Sequence, residues 1–464
     1  MPLAPRIRRP PEWGVEPVPP EARVLRTLDL FVLWSSLGVG LLVLAAGSLL
    51  VLVFGLTLWE SLLVSVVGSI VGSLMLAAAA YHGSRAGVPT MVSLRPVVGR
   101  AGSIIPSALN ALQLLAWAAF ELLIMGVAIA VLTRDAFGPV TAAIFVPIFG
   151  AIVALLALGG PLAVVRQWLR RFAIWLVFAS TALIAIALAV RGVDWNARPV
   201  PVPAASSLPA SLLLGLDLVI VMPISWWPLV SDYNRFARTA RASVFGTTLG
   251  YAVANAAFYV LGAALVVFGL VHPTASTGDF LLAIGLLGFG AFSFLPLLFI
   301  LVDETDNAFA NVYSTAVSLQ NIAPKYRQFG FIVAATGVAT AGAWALLSMG
   351  QWLGGGYETF LLLIGGLFVP LLGVVIADSL LVRRAGYRAD EFAEAAPSFR
   401  WPALVSWAAG VLLYYAVTWG WIPGFPPVGA TLPSFLLAIG LHVLLARAKA
   451  LLAAARRPAP GGGS

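Results

Sequence analysis

Four side chains that could bind a small polar molecule fall on one face of a predicted helix. Asn110, Gln113, Trp117 and Glu121 are spaced three, four and four residues apart, which at about 100° per residue places them on a common face. A charge at the centre of a bilayer costs about 2.5 to 3.5 kcal/mol, so this face is expected to point inward. Glu121 is then either protonated and bonded to a neighbouring helix, or it receives the amino groups or ring nitrogens of a flat ligand stacked on Trp117.

A second cluster of acidic side chains occurs in the stretch LVDETDNAFANVYS. Asp303, Glu304 and Asp306 are three carboxylates within four residues. In a low dielectric they cannot all stay ionised unless a cation or protons neutralise them. Asp303 shares one helix face with Asn307 and Asn311, whereas the other two carboxylates point elsewhere. The alternative is that this stretch is the wet cytoplasmic end of a helix.

Two apolar runs contain residues that interrupt a helix. The first has two serines and two glycines, at Ser35, Ser36, Gly38 and Gly40. The other has two prolines that flank a serine and two tryptophans, in the order Pro223, Ser225, Trp226, Trp227 and Pro228. Glycine costs about 1 kcal/mol relative to alanine in a helix interior, and each proline removes a backbone donor. Ordinary kinks are the simpler interpretation, but interruptions at matching places in inverted repeats are typical of a transporter's midplane site.

The composition identifies the class of protein that carries these runs. Of the 464 residues, 61% are hydrophobic and 10% are charged, and the mean hydropathy is +0.98, which excludes an ordinary water-soluble protein. Apolar runs of spanning length recur along the chain, so helices and not a β-barrel cross the membrane. The chain has no cysteine and three widely separated histidines, so we expect no disulfide, no dedicated metal centre and no cofactor.

Charge and turn residues between the apolar runs predict twelve spans and their orientation. The spans cover residues 29–56, 60–81, 104–132, 139–158, 171–190, 209–234, 243–270, 291–318, 328–349, 357–381, 401–418 and 431–452. Of 27 Lys and Arg residues, only Arg134, Arg191 and Arg198 then fall on the side opposite the termini. The positive-inside bias therefore predicts a multi-pass protein of the cytoplasmic membrane with both termini in the cytoplasm, and it explains the net charge of +8 without a nucleic-acid partner.

Several isolated polar residues have simpler predicted roles. Asp217, Asp378 and His442 are expected to make hydrogen bonds between helices or at the interface. In SDYNRFAR, Asp232 is expected to pair with nearby arginines as an interfacial anchor. The apolar segment TGDFLLAIGLLGFG before the eighth span is too short to cross a membrane and is predicted to be a helix on the outer surface.

The order and spacing of several short motifs resemble one transporter family. These motifs are GVPTMVSLRPVVGRAGS, QLLAWAAFE, SDYNRFAR and DETDNAFANVYS. From about Pro17 to the tenth span the chain resembles the nucleobase:cation symporters, which include cytosine, purine, allantoin and hydantoin permeases. Its resemblance is greatest to the bacterial branch of cytosine permeases and hydroxymethylpyrimidine transporters. The resemblance implies an all-α leucine-transporter-like fold, with two inverted five-helix repeats, broken first and sixth helices and two further helices.

The predicted domain organisation follows from this fold. It consists of a disordered cytoplasmic tail at 1–28, a ten-helix core at 29–381 with repeats at 29–190 and 209–381, two additional helices at 401–452, and a flexible cytoplasmic tail at 453–464.

The resemblance also assigns roles to the substrate-binding residues. Trp117 matches the tryptophan on which the family stacks its planar substrate. Glu121 falls where some relatives have a substrate-bonding glutamine, and Gln113 lies one residue from the position of another such glutamine. Ser225 and Trp226 match the broken sixth helix, which supplies the other side of the substrate sandwich. The predicted substrate-binding set is Trp117, Glu121, Gln113, Ser225, Trp226 and Asn307.

The cation site implied by the resemblance combines the first and eighth spans. The family uses carbonyls of the broken first helix, here near Ser35 and Gly38, with hydroxyl side chains on the eighth helix. In this sequence the hydroxyl positions are occupied by Asp303 and Glu304. Carboxylates can ligate sodium or carry a proton, so the expected coupling ion is Na⁺ or H⁺.

The sequence therefore predicts a secondary transporter, not an enzyme. It would act as a monomer among membrane lipids and import a pyrimidine such as cytosine or hydroxymethylpyrimidine by cation symport. One alternative is a membrane-embedded enzyme that uses Asp303, Glu304 and Asp306 to hold a metal, although such enzymes usually have sizeable polar loops or domains. Another is a channel, but polarity is confined to the third, sixth and eighth spans.

Overall fold

Helices make up the secondary structure of the part that the structure describes, apart from one isolated β-bridge between Leu25 and Ala237. The computed structural model describes residues 12–190, 192, 194–204, 206–272, 277–285, 293–350, 355–393 and 397–455. The helices are α1 (Thr27–Ser36), α2 (Leu41–Leu52), α3 (Leu58–Ala86), α4 (Thr90–Ser93), α5 (Arg95–Val98), α6 (Ile104–Thr133), α7 (Thr141–Gly159), α8 (Pro161–Ala163), α9 (Ile174–Val190), α10 (Leu208–Ser225), α11 (Val230–Asn234), α12 (Ala240–Val267), α13 (Thr277–Gly285), α14 (Leu295–Ile322), α15 (Gln328–Met349), α16 (Gly355–Ile376), α17 (Trp401–Thr418) and α18 (Thr431–Ala455).

Short elements of other helix types join some of these helices. Val164–Ala173 and Ala377–Val382 are π-helical, and Pro20–Ala22, Gly138–Val140, Trp227–Leu229 and Ala389–Phe392 are 3₁₀ turns.

Ten helical segments of the described chain are long and apolar enough to cross a membrane. The bent pair α1 and α2 brings the number to eleven. Helix α14 is 28 residues long but carries Asp303, Glu304 and Asp306 near its middle. The prediction of twelve spans includes this polar helix, so the count of twelve stays a prediction.

The first span is broken where the sequence places its serines and glycines. Helices α1 and α2 meet at an angle of 63° across residues 37–40. A Cβ atom at Gly38 would lie 3.2 Å from the Cβ of Ala254 on α12, and one at Gly40 would lie 3.0 Å from Nδ2 of Asn307 on α14. Because Gly38 and Gly40 carry no side chain, the break can pack closely against α12 on one side and against α14 on the other.

The sixth span is interrupted at its two prolines. Helix α10 ends at Ser225, two residues after Pro223, and the chain passes through a 3₁₀ turn that contains Pro228 before α11 begins. Because neither proline can donate a backbone hydrogen bond, the regular α-helical pattern cannot continue through this segment. The predicted interruption is confirmed.

The helices pack in two groups that meet at the broken spans. Helix α12 packs against α1, α2 and α3, and α10 packs against α3. Helix α14 packs against α6, α7 and α9, and α15 packs against α6. Helices α17 and α18 contact each other and α16. The first group thus holds both broken spans, and the second presents the polar faces of α6 and α14 to them.

The N-terminal segment differs from the predicted disordered tail. Leu25 is buried, and the guanidinium of Arg235 donates hydrogen bonds to the carbonyl oxygens of Trp13 at 2.8 Å and Gly14 at 2.6 Å. A buried guanidinium must be supplied with acceptors, and these carbonyls provide them. Part of residues 12–28, including Val18 and Leu25, is therefore packed against the protein, whereas residues 1–11 lie outside the described residues.

The SDYNRFAR motif is also more deeply buried than predicted. Arg235 is fully buried, and Asp232 is 1% exposed and accepts a hydrogen bond from the backbone N–H of Thr90 at 2.9 Å. The N-terminal segment covers part of this motif, and its predicted position at the membrane interface stays a prediction.

The predicted hydrogen bonds of the isolated polar residues are confirmed. Nε2 of His442 on α18 lies 3.0 Å from Oδ1 of Asp378, which follows α16. Asp217 accepts hydrogen bonds from the backbone N–H groups of Ala430 at 3.2 Å and Thr431 at 3.1 Å. These contacts join helices that are distant in the sequence.

The apolar segment before the eighth span is helical over part of its length. It forms helix α13 over Thr277–Gly285, and residues 286–290 lie outside the described residues.

The basic loops converge on one end of the molecule, which we call the basic face. It comprises residues 12–26, 87–103, 235–239, 323–327 and 383–393. The guanidinium of Arg95 donates to Oδ1 of Asn321 at 2.9 Å and to the carbonyl oxygen of Phe392 at 2.7 Å. Arg23 donates to the carbonyl oxygen of Ala86 at 3.2 Å. These contacts join loops that the predicted topology places on the same side of the membrane.

Candidate substrate and cation site

A small cavity lies where the two broken spans meet α6 and α14. Five of the six predicted substrate-binding residues line it, namely Trp117, Glu121, Ser225, Trp226 and Asn307. The remaining lining residues are Leu37, Gly40, Leu42, Val43, Met222, Leu229, Glu304 and Asn311. Its volume of about 20 Å³ is enough for one water molecule. The structure therefore represents a closed site, whose walls must separate to admit a ring.

Aromatic side chains of α16 hold Trp117 in place. The indole makes edge-to-face contacts with Tyr357, at 6.1 Å between ring centroids, and Phe360, at 5.1 Å. On the opposite wall, Trp226 packs edge-to-face against Trp34 at 6.4 Å. Sequence reasoning found both cavity tryptophans but missed these supporting rings, since no local spacing connects α16 with α6.

Asn110 and Gln113, the first two residues of the polar face of α6, join helices together. Nε2 of Gln113 donates to Oδ1 of Asn110 at 2.7 Å, and Nδ2 of Asn110 donates to Oγ of Ser318 at 2.9 Å and to the carbonyl oxygen of Pro228 at 3.1 Å. Asn110 thus ties α6 to α14 and to the interrupted sixth span. Gln113 does not line the cavity, and its role in substrate binding stays a prediction.

Four buried carboxyl groups cluster on α6 and α14, and two of them, Glu121 and Glu304, line the cavity. Glu121 is 3% exposed, and Asp303, Glu304 and Asp306 are fully buried, so the predicted alternative of a wet helix end was wrong. The carboxyl groups of Glu121 and Glu304 lie within hydrogen-bonding reach of each other across α6 and α14. Among the described residues, no arginine or lysine forms an ion pair with any of the four. Their charge must therefore be balanced by protons or a cation.

The acidic residues of α14 bind the break in the first span directly. Oδ1 of Asp303 accepts a hydrogen bond from Oγ of Ser36 at 2.7 Å, and Oε2 of Glu304 accepts one from the backbone N–H of Leu41 at 3.0 Å. Because Glu304 also lines the cavity, a cation or proton bound to it would be adjacent to the substrate.

The side chains of the residues predicted to bind the cation face two different directions. Asp303 and Glu304 face the break, but the hydroxyl of Ser35 donates to the carbonyl oxygen of Gly250 on α12 at 3.2 Å. The hydrogen at Gly38 also points toward α12. The predicted contribution of the backbone carbonyls near Ser35 and Gly38 stays a prediction. The serine side chain that faces Asp303 is Ser36, which sequence reasoning did not select.

The geometry limits how a metal ion could be held. In the described ranges no group of three or more His, Asp or Glu side chains is arranged to bind a metal. A sodium ion at this position would therefore need backbone carbonyls of the break in addition to Asp303 and Glu304.

Comparison with known proteins identifies the family. A family described as permeases for cytosine/purines, uracil, thiamine and allantoin matches residues 17–436. The chain belongs to this permease family. A putative purine-cytosine permease of Bacillus subtilis is 25% identical to this permease, over 81% of the chain and 80% of the relative. The cytosine permease of Escherichia coli K12 is 26% identical, over 85% of the chain and 86% of the relative.

A solved structure supports the fold. Mhp1, a transporter of the nucleobase-cation-symport-1 family, in a closed conformation with bromovinylhydantoin bound, superimposes with a TM-score of 0.75. The match has 20% sequence identity and covers 95% of this permease and 96% of that chain. The predicted fold class, an all-α membrane transporter of the leucine-transporter type, is confirmed. The predicted domain boundaries stay a prediction.

Proposed function

We propose that this permease imports a pyrimidine-type nucleobase or a related planar heterocycle, such as cytosine or hydroxymethylpyrimidine, by symport with Na⁺ or H⁺. The observation that carries the proposal is the placement of Trp117 and Glu121 in one cavity between the two broken spans. The indole offers a flat surface for stacking, and the carboxyl group accepts hydrogen bonds from the edge of the ring.

The unpaired acceptors in the cavity favour a ligand with an amino edge. Apart from a proton that the adjacent carboxyl groups of Glu121 and Glu304 can share, no donor of the described residues reaches Oε2 of Glu121, Oε1 of Glu304 or Oδ1 of Asn307. The exocyclic amino group of cytosine or hydroxymethylpyrimidine supplies two N–H donors for these oxygens. A ligand with carbonyl groups at the same positions leaves buried acceptors unpaired, which lowers its affinity.

The position of Glu304 supports the proposed coupling to a cation. This residue touches the cavity, the break in the first span and Glu121. A cation or proton bound at Asp303 and Glu304 reduces the negative charge beside the substrate and favours the closed arrangement of α14 against the break. Substrate and cation then each increase the affinity for the other.

The proposed setting is the cytoplasmic membrane, with a lipid-surrounded monomer and both termini in the cytoplasm. Convergence of the basic loops on one face supports this orientation. The matched family and relatives are permeases, which favours transport over the alternative of a membrane-embedded enzyme. We assign no cofactor and no nucleic-acid partner to this permease.

Thermal stabilisation by ligands tests the proposal. The purified permease is melted with cytosine, uracil, adenine, hydantoin and hydroxymethylpyrimidine, with and without Na⁺ and at two pH values. A ligand at 100 times its Kd stabilises the folded state by about 2.7 kcal/mol, so an aminopyrimidine should raise the Tm and the coupling ion should enlarge the shift.

The Trp117→Ala variant is the matched control because it lacks the stacking surface and should show a much smaller shift. Stabilisation by hydantoin or uracil in preference to every aminopyrimidine would overturn the assignment of substrate class. No stabilisation by any heterocycle would overturn the proposed function.

A further inference from the structure

A second cavity opens on the basic face, between the ends of α3 and α16. Its volume is about 680 Å³, within the range of about 300 to 1,000 Å³ that is typical of small-molecule sites. The side chains that give it chemical character are Arg85, His82, Arg384 and Tyr387. No carboxylate is among its described lining residues. We call it the basic cavity, and it is separate from the cavity at Trp117.

The two arginines of the basic cavity leave most of their donors available. Both side chains are exposed, and neither forms an ion pair with another described residue. Arg85 donates one hydrogen bond, to the hydroxyl of Tyr81 at 3.3 Å. The nearby Asp378 does not neutralise them, because it is already bonded to Arg383 at 2.6 Å and to His442.

A histidine adds a third polar group to the same wall. The ring of His82 is packed between Tyr81, at 5.4 Å between centroids, and Tyr387, at 6.0 Å. Its Nε2 atom is buried and has no hydrogen-bond partner among the described residues. An unpaired buried nitrogen is unfavourable unless a ligand or water completes its hydrogen bond.

We propose that the basic cavity binds a phosphate group, either that of an anionic phospholipid headgroup or free phosphate. Guanidinium groups pair with phosphate oxygens through two parallel N–H bonds, and the imidazole can bond a third oxygen. Basic pockets between membrane helices on the cytoplasmic side suit anionic headgroups. Leu380 and Leu381, beside the cavity, are 44% and 41% exposed and offer an apolar surface for an acyl chain.

A bound phosphate would connect helices that belong to different parts of the fold. Helix α3 packs with the broken spans, whereas α16 supplies Tyr357 and Phe360 to the wall behind Trp117. A ligand held by Arg85 on α3 and by Arg384 after α16 therefore bridges these two parts at the basic face.

The test measures binding, so it does not depend on the transported substrate. The full-length permease is placed in phosphatidylcholine nanodiscs that contain increasing fractions of phosphatidylglycerol, and its Tm is recorded. A second arm titrates inorganic phosphate against chloride at equal ionic strength. The variant is Arg85→Gln with Arg384→Gln.

The matched control is Arg166→Gln with Arg238→Gln, which removes the same charge from a different cavity that also contains Glu21 and Asp29.

The expected result is a saturable rise in Tm whose midpoint shifts by about tenfold or more in the Arg85 and Arg384 variant and little in the control. A response to phosphatidylglycerol alone assigns the site to a lipid headgroup, and a response to inorganic phosphate without lipid preference assigns it to free phosphate. If the double variant does not fold, Arg384→Gln alone should shift the midpoint by about threefold or more. Absence of saturation by both ligands, or an equal shift in the control, would overturn the proposal.

Discussion

Replacement of Glu121 by glutamine tests the proposed hydrogen bond to an amino edge of the substrate. Glutamine has nearly the same shape as glutamate, so packing against the cavity should change little. It replaces one carboxyl oxygen with an NH₂ group, which cannot accept a hydrogen bond. Oε2 of Glu121 has no partner among the described residues, so the substitution removes an acceptor that is available to the ligand.

The magnitude follows from the loss of one hydrogen bond to a carboxylate. Such a bond contributes about 1.5 to 3 kcal/mol, which corresponds to about a 10- to 150-fold weaker affinity. The amide oxygen can accept a hydrogen bond from protonated Glu304, which leaves the NH₂ group facing the ligand and adds no buried charge, so the folded state should not be destabilised. The effect should therefore appear in ligand binding and not in the Tm of the ligand-free protein.

Direct binding and uptake measurements with two ligands separate the interpretations. Calorimetry and uptake should show a large loss for cytosine and a smaller loss for uracil, which has a carbonyl in place of the amino group. Asn110→Ser serves as a comparison, because Asn110 joins helices outside the cavity and should lower stability without changing the preference between the two ligands. Equal losses for cytosine and uracil in Glu121→Gln, or unchanged binding with a lower Tm, would refute the reasoning.

Three further substitutions test other parts of the site and the fold. Asp303→Asn should abolish the stimulation of binding by the coupling cation, because it removes the charge bonded to Ser36. Titration of substrate with and without Na⁺ and across pH checks this. Full stimulation in the variant would show that Asp303 is not part of the cation site. Trp117→Phe should retain more affinity than Trp117→Ala, by about 0.5 to 1.5 kcal/mol from stacking alone, and equal affinities measured by calorimetry would show that no ring is stacked there. Arg235→Met should destabilise the protein by about 2 to 3 kcal/mol, because two carbonyls of the N-terminal segment lose a charged donor. The Tm should fall, and limited proteolysis near Trp13 should accelerate. Unchanged protease resistance would contradict the role of this contact.

The features that sequence predicted well are those fixed by local spacing. Trp117 and Glu121 face the same cavity because they are one helical turn apart, and the breaks occur where glycines and prolines cannot sustain a helix. The fold class followed from recurrent apolar runs together with the family motifs.

Features that depend on contacts between distant segments were not predicted. Ser36 and not Ser35 faces Asp303, because the rotation of α1 about its axis is set by its packing on α12. Arg235 is buried because the N-terminal segment folds over it, and the composition of that segment indicated disorder. The aromatic support of Trp117 from Tyr357 also depends on tertiary packing.

Counterflow in proteoliposomes distinguishes coupled nucleobase transport by this permease from passive entry. Vesicles containing purified protein are loaded with unlabelled cytosine and diluted into labelled cytosine, first without an ion gradient and then with an inward gradient of Na⁺ or H⁺. Coupled transport predicts a transient accumulation of label above its equilibrium level, loss of that accumulation in Trp117→Ala, and concentrative uptake driven by one of the two gradients. Label that enters without saturation, or that never exceeds equilibrium under any of these conditions, would contradict it.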